Sequence, residues 1–186
     1  MRRIIVPLAL LVLFLSGNVS AQNYSAIPLI ADIQGEVRGR EARVKFTLQN
    51  AFSPEMTEAL KSGIEISFKT VVRVERVHRK WFFNPRLGEV TLSRSVRYDA
   101  LSRVYRLQQG GKEDHLTDIQ AAISAMTRFE ITVPLFLETE PGKNYRAVIR
   151  TRLDKVGLSE PLRSVLLFSS FWDVETEWAK GRLTAP

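Results

Sequence analysis

Ile64-Glu65-Ile66-Ser67-Phe68-Lys69-Thr70-Val71-Val72-Arg73-Val74-Glu75 is the longest alternating run in the chain. Ile64, Ile66, Phe68, Val72 and Val74 share one parity, and Glu65, Ser67, Lys69, Arg73 and Glu75 the other. Successive side chains of a strand point to opposite faces, so the run predicts a strand with one dry face and one wet face. A dry face must be covered by a second layer, and the rest of the chain is read for what supplies it.

Upstream, Leu29, Ala31, Ile33 and Val37 alternate with Asp32, Gln34 and Glu36. After a turn at Arg38, Gly39 and Arg40, Ala42, Val44, Phe46 and Leu48 alternate with Arg43, Lys45 and Thr47. That is a hairpin. Ser53 followed by Pro54, with Glu55 and Glu58 in the opening turns and Gly63 able to close in a left-handed conformation, marks one short helix before the long strand.

Downstream, Trp81, Phe82, Phe83, Asn84, Pro85 and Gly88 read as a loop. Val90, Leu92, Val96 and Tyr98 then alternate with Thr91, Ser93, Ser95 and Arg97, and a turn at Asp99 to Ser102 leads to Arg103, Tyr105 and Leu107, which completes a three-stranded meander. Thr117 and Gln120 have capping-box spacing, and Leu116, Ile119, Ile123 and Met126 form a helical stripe that reads as core. Period 2 returns at Phe129, Ile131 and Val133. It recurs where Tyr145, Ala147, Ile149, Thr151 and Leu153 oppose Arg146, Val148, Arg150 and Arg152. Val165 to Phe168 reads as a last strand, followed by an aromatic tail with Phe171, Trp172 and Trp178. There is no internal repeat or linker.

Seven or eight strands and two short helices predict a mainly β chain folded as an antiparallel β-sandwich. Pro141-Gly142-Lys143-Asn144-Tyr145 before a strand resembles the tyrosine corner of immunoglobulin-like and fibronectin-like domains, in which the tyrosine bonds back to the preceding loop. A single curved sheet with both helices on one side satisfies the same periodicity.

The N-terminus has the order of a secretory signal peptide: Arg2 and Arg3, an apolar run from Ile4 to Leu15, and small residues at Val19-Ser20-Ala21. Cleavage is expected after Ala21, leaving residues 22–186 as a single β-rich domain in the periplasm. The competing reading is an uncleaved anchor, but a bilayer span needs about 20 apolar residues and this run is roughly 12 long and contains Pro7. No later segment is long and apolar enough to span. Residues 1–21 hold two of the 27 basic residues and none of the 20 acidic ones, so the expected mature charge is 25 minus 20, or +5. For an exported protein, that bias points to an acidic envelope protein or an anionic surface and away from nucleic acid. It also serves plain solubility.

Absences narrow the chemistry. Without cysteine there is no disulfide, no thiol nucleophile and no thiolate metal site. The two histidines, His78 and His115, are too few for a common zinc triad, and no Gly-x-Ser-x-Gly elbow or phosphate-binding glycine loop occurs. Neither cofactor nor metal is expected. Asp114 beside His115 could belong to a triad assembled by folding, but a solvated loop is the plainer reading. Glu138, Glu140 and Asp154 could supply paired carboxylates, as acids in any such domain could. More specific are the aromatics in polar company, Trp81 with Phe82 and Phe83, and Trp172 with Phe171 and Trp178. They either plug an open sandwich end or anchor a partner. Arg146, Arg150 and Arg152 share one face of one strand and form a candidate anion row, unless acids such as Glu65 or Glu75 pair with them across the sheet.

Tyr98-Asp99-Ala100-Leu101-Ser102-Arg103-Val104-Tyr105-Arg106-Leu107, the run Tyr145 to Asp154, and Phe171-Trp172-Asp173 with Trp178 resemble a family of bacterial exported proteins catalogued as domain of unknown function 4390 (DUF4390). The resemblance spans most of the expected mature chain. Members of that family are often encoded beside a membrane sensor kinase, which implies an accessory role in the envelope. Two function classes follow: a non-catalytic binding or accessory module of the bacterial envelope, or an envelope hydrolase acting on cell-wall or glycan material. They differ in whether the histidines and carboxylates converge on one concave pocket.

Overall fold

The computed structural model describes residues 27–78, 84–154 and 174–185. Nine strands and two helices are formed: β1 Leu29–Arg38, β2 Glu41–Gln49, α1 Pro54–Lys61, β3 Ile66–Val77, β4 Arg86–Asp99, β5 Val104–Gln109, β6 Lys112–Leu116, α2 Ile119–Thr127, β7 Arg128–Pro134, β8 Asn144–Leu153 and β9 Ala179–Leu183. They build two sheets, β1-β2-β7 and β6-β5-β4-β3-β8-β9, in which every neighbouring pair is antiparallel. The fold is mainly β and forms a sandwich, as the periodicity predicts.

The run that decides the fold is β3, near the middle of the larger sheet. Its dry parity carries Ile66, Phe68, Val72 and Val74, all buried, together with Thr70. Thr70 is tolerated inside because its hydroxyl meets that of Thr151 on β8 at 2.9 Å. Opposite lie Ala42, Val44, Phe46 and Leu48 of β2 and Phe129, Ile131 and Val133 of β7. Phe46 and Phe129 stack at 4.7 Å. Both sheets thus bury the parity that alternation assigns to them.

One bulge changes a face assignment. The β1–β2 register shifts between Ala31 and Gln34, where Asp32 has φ 55. An extra residue inverts parity on one side of a bulge. Ile33 and Val37 therefore face inward as expected, whereas Leu29 is exposed and Ile30 packs on the core instead.

The helices follow their caps. The Ser53 side chain accepts from the Met56 amide at 3.2 Å, and Gly63 closes α1 with φ 84. For α2 the cap is Asp118, not Thr117: its carboxylate accepts from the Ala121 amide at 2.8 Å. The strand β6, absent from the expected meander, is charged and exposed almost throughout, so it has no alternation to reveal it. Gly88 belongs to β4 rather than to a loop, where a Cβ would overlap the Pro134 carbonyl oxygen as β4 passes β7. The expected strand at Val165 to Phe168 lies outside the described residues, as does the expected signal peptide at residues 1–21.

The C-terminal strand ties the layers together. β9 pairs with β8, and just past it the Val37 amide donates to the Thr184 carbonyl at 2.8 Å while the Thr184 amide donates to that of Gly35 at 2.9 Å. Leu183 is buried behind that junction. The tyrosine corner forms as well. The Tyr145 hydroxyl accepts from the Glu140 amide at 2.8 Å and donates to the Glu140 carbonyl at 3.2 Å.

Candidate binding face

The outer face of the larger sheet carries the wet parities of β3, β4 and β8. Across it, Glu89, Arg73 and Val148 lie in register, as do Thr91, Val71 and Arg150, and Ser93, Lys69 and Arg152. Arg146, Arg150 and Arg152 therefore share this face, as parity requires.

Most cations here are already engaged. Arg146 meets Glu75 at 2.7 Å through Nη2 and 2.9 Å through Nε, the cross-sheet pairing that parity allows. Arg150 meets Glu175 at 2.6 Å. Arg73 and Arg86 converge on one oxygen of Glu89, and the Arg73 guanidinium is the main reason the Glu89 carboxyl sits below its usual range. Trp178 lies among these groups, with the Arg73 guanidinium 4.3 Å and that of Arg150 5.6 Å from its ring centroid. Trp178, read from the sequence as part of a plug or of a partner anchor, lies on this outer face against two guanidinium groups. Trp81, Phe82, Phe83, Phe171 and Trp172 lie outside the described residues.

The histidines and carboxylates singled out in the sequence are dispersed. His78 follows the last residue of β3. Its amide donates to Asn84 Oδ1 at 3.0 Å, and its Nε2 accepts from Arg76 Nε at 3.3 Å. His115 sits on β6, with Nε2 2.8 Å from Glu113 Oε1, and this contact is the main cause of the lowered Glu113 pKa. His115 pairs with Arg106, Arg106 with Arg97, and Arg97 follows the partner of Ile66, so His115 stands level with the opposite end of β3. At about 3.3 Å per residue the histidines are on the order of 40 Å apart along the strands. Asp114 and His115 are successive residues of one strand and face opposite ways. Glu140 precedes β8 and Asp154 follows it, on the order of 30 Å apart and far beyond the reach of a carboxylate pair. Glu140 pairs with Arg76 and Lys143, and Glu138 is exposed. Among the described residues, no three His, Asp or Glu side chains gather as a metal site.

Arg94 is the residue that sequence reading missed. It stands on the dry parity of β4 between Leu92 and Val96 and is 6 % exposed. A lone charge inside an apolar alternation was the available signal.

A family model described as domain of unknown function (DUF4390) matches residues 29–181. The chain belongs to this family. The DUF4390 match begins at the first residue of β1 and ends within β9, so it takes in both sheets and the whole outer face. Its Tyr98 to Leu107 segment forms the β4–β5 hairpin, where the Ser102 hydroxyl and the amides of Ser102 and Leu101 hold the Asp99 carboxyl down to about 2. Nothing among the curated proteins or the solved structures matches the chain.

Proposed function

We propose that this DUF4390 domain is a non-catalytic binding or accessory module of the bacterial envelope, exported through a cleaved signal peptide, and that it presents the outer face of its larger sheet to a partner linked to a membrane sensor kinase. The observation that carries the reading is the form of that face: a broad sheet surface on which ion pairs and Trp178 hold arginines in place. Side chains immobilised before an encounter lose less entropy on binding. The dispersal of His78, His115, Glu140 and Asp154 supports the same reading over a hydrolase, which needs acid and base within reach of one bond.

The two classes separate in a complementation experiment. A strain lacking the gene should be restored by a His78→Ala, His115→Ala double variant as well as by the parent. Loss of restoration by the stably folded double variant would return the hydrolase to first place. Export is checked by N-terminal sequencing of the protein from the envelope fraction. The expected first residue is Gln22 or lies within two residues of it, and an intact Met1 to Leu15 segment in washed membranes would overturn cleavage.

A further inference from the structure

On the outer face of the larger sheet several cations are paired: Arg73 with Glu89, Arg86 with Glu89, Arg146 with Glu75, and Arg150 with Glu175. Arg97 of β4 and Lys180 and Arg182 of β9 have no such partner among the described residues, and neither do Lys69 and Arg152. Lys69 and Arg152 stand directly opposite each other on β3 and β8. Like charges opposite one another in a sheet repel, so the pair costs stability unless something negative sits between them. Beside them are three hydroxyls: Ser93 is in register with Lys69, and Ser67 is in register with Ser95 one level along. No hydrogen bond of these hydroxyls occurs among the described residues, and all three line a shallow depression of about 350 Å³ that runs to the β5–β6 hairpin, with Lys69 and Arg152 outside its lining. Two unpaired cations, one of them a guanidinium fork, beside three free hydroxyl donors match the oxygens of a phosphate group. Three acids stand near: Glu113 lines the same depression and is held by His115 and Gln108, and Asp154 is at the Ser67 level, where its amide donates to the Ser67 carbonyl at 2.7 Å. Glu175, bridged to Arg152 through the backbone, is held by Arg150.

We infer that Lys69 and Arg152, with Ser67, Ser93 and Ser95, form a phosphate-binding site on the outer face of the larger sheet. The site deepens the binding-face reading and rests on it. It takes a phosphoryl group carried either by a lipid headgroup or by a soluble phosphate.

The test titrates inorganic phosphate into the isotope-labelled mature protein and follows backbone amides by NMR, with sodium chloride at matched ionic strength as the control. Saturable shifts confined to Ser67, Lys69, Ser93, Ser95 and Arg152 are expected, and a Lys69→Gln, Arg152→Gln variant with an otherwise unchanged spectrum should bind about tenfold or more weakly. A second arm uses phosphatidylglycerol vesicles. Binding to vesicles that free phosphate displaces assigns the group to a lipid, and phosphate shifts without vesicle binding assign it to a soluble ligand. Shifts that chloride reproduces, absence of shifts at these five residues, or an unweakened double variant would overturn the site. If phosphate fails to bind the parent protein while the outer face still engages its partner in cells, the binding face stands and the phosphate site alone falls.

Discussion

Arg94 shows how a single residue can answer to tertiary structure alone. Its guanidinium has no carboxylate partner among the described residues; it donates through Nε to Gln109 Oε1 at 2.6 Å and through Nη1 to the carbonyls of Arg128, at 2.8 Å, and Ala125, and it lies 4.1 Å from the Phe129 ring centroid. Ala125 and Arg128 belong to the end of α2, where carbonyls lack intrahelical donors and the helix dipole is negative. Arg94 thus caps α2 from across the sandwich. Burial lowers its pKa to about 10, which leaves it charged at neutral pH. Arg94→Met should keep the volume but strand three acceptors, lowering stability by about 2–4 kcal/mol in urea unfolding. Arg94→Lys should recover only part of that, because an ammonium cannot fork to the same acceptors. A Met variant as stable as the parent would show that α2 needs no such cap.

At the scale of elements, β9 is the piece whose removal tests the architecture. It pairs with β8 and carries the chain to the β1 contacts at Thr184, and Gly181 permits the approach because a Cβ there would overlap Ile33. Deleting residues 179–186 should free the edges of both β1 and β8, lower the thermal midpoint by several degrees, and speed amide exchange in those two strands first. An unchanged midpoint would mean that β9 only decorates the sheet. Much of this architecture was legible beforehand: β2, β3, β7 and β8 each bury one parity against the opposite sheet, so their period is written into residue type. β6 was not, because Lys112-Glu113-Asp114-His115 is exposed on both faces and owes its strand conformation to pairing with β5. For β9, Lys180 and Arg182 do alternate with Ala179, Gly181 and Leu183, but small residues at two of three inward positions leave a faint signal. The candidate face was half legible. Parity aligned Arg146, Arg150 and Arg152 and named Glu75, whereas Glu175 and Trp178 come from the far end of the chain and meet the sheet only after folding.

The whole molecule has two outer sheet faces of different chemistry. That of the smaller sheet exposes Arg43, Lys45, Glu130 and Thr132, with Lys45 and Glu130 paired at 3.2 Å while both remain more than half exposed, a contact worth little. That of the larger sheet holds half-buried ion pairs near Trp178, and Lys69 and Arg152, which make no ion pair among the described residues. The central claim is that this second face meets the partner. It is tested most directly by placing a photo-activated cross-linking amino acid at Thr91, on the larger sheet's outer face, and separately at Thr132, on the smaller sheet's, and irradiating intact cells. A discrete adduct with an envelope component from Thr91, and none from Thr132, is the expected result. An adduct from Thr132 with none from Thr91 would contradict the claim.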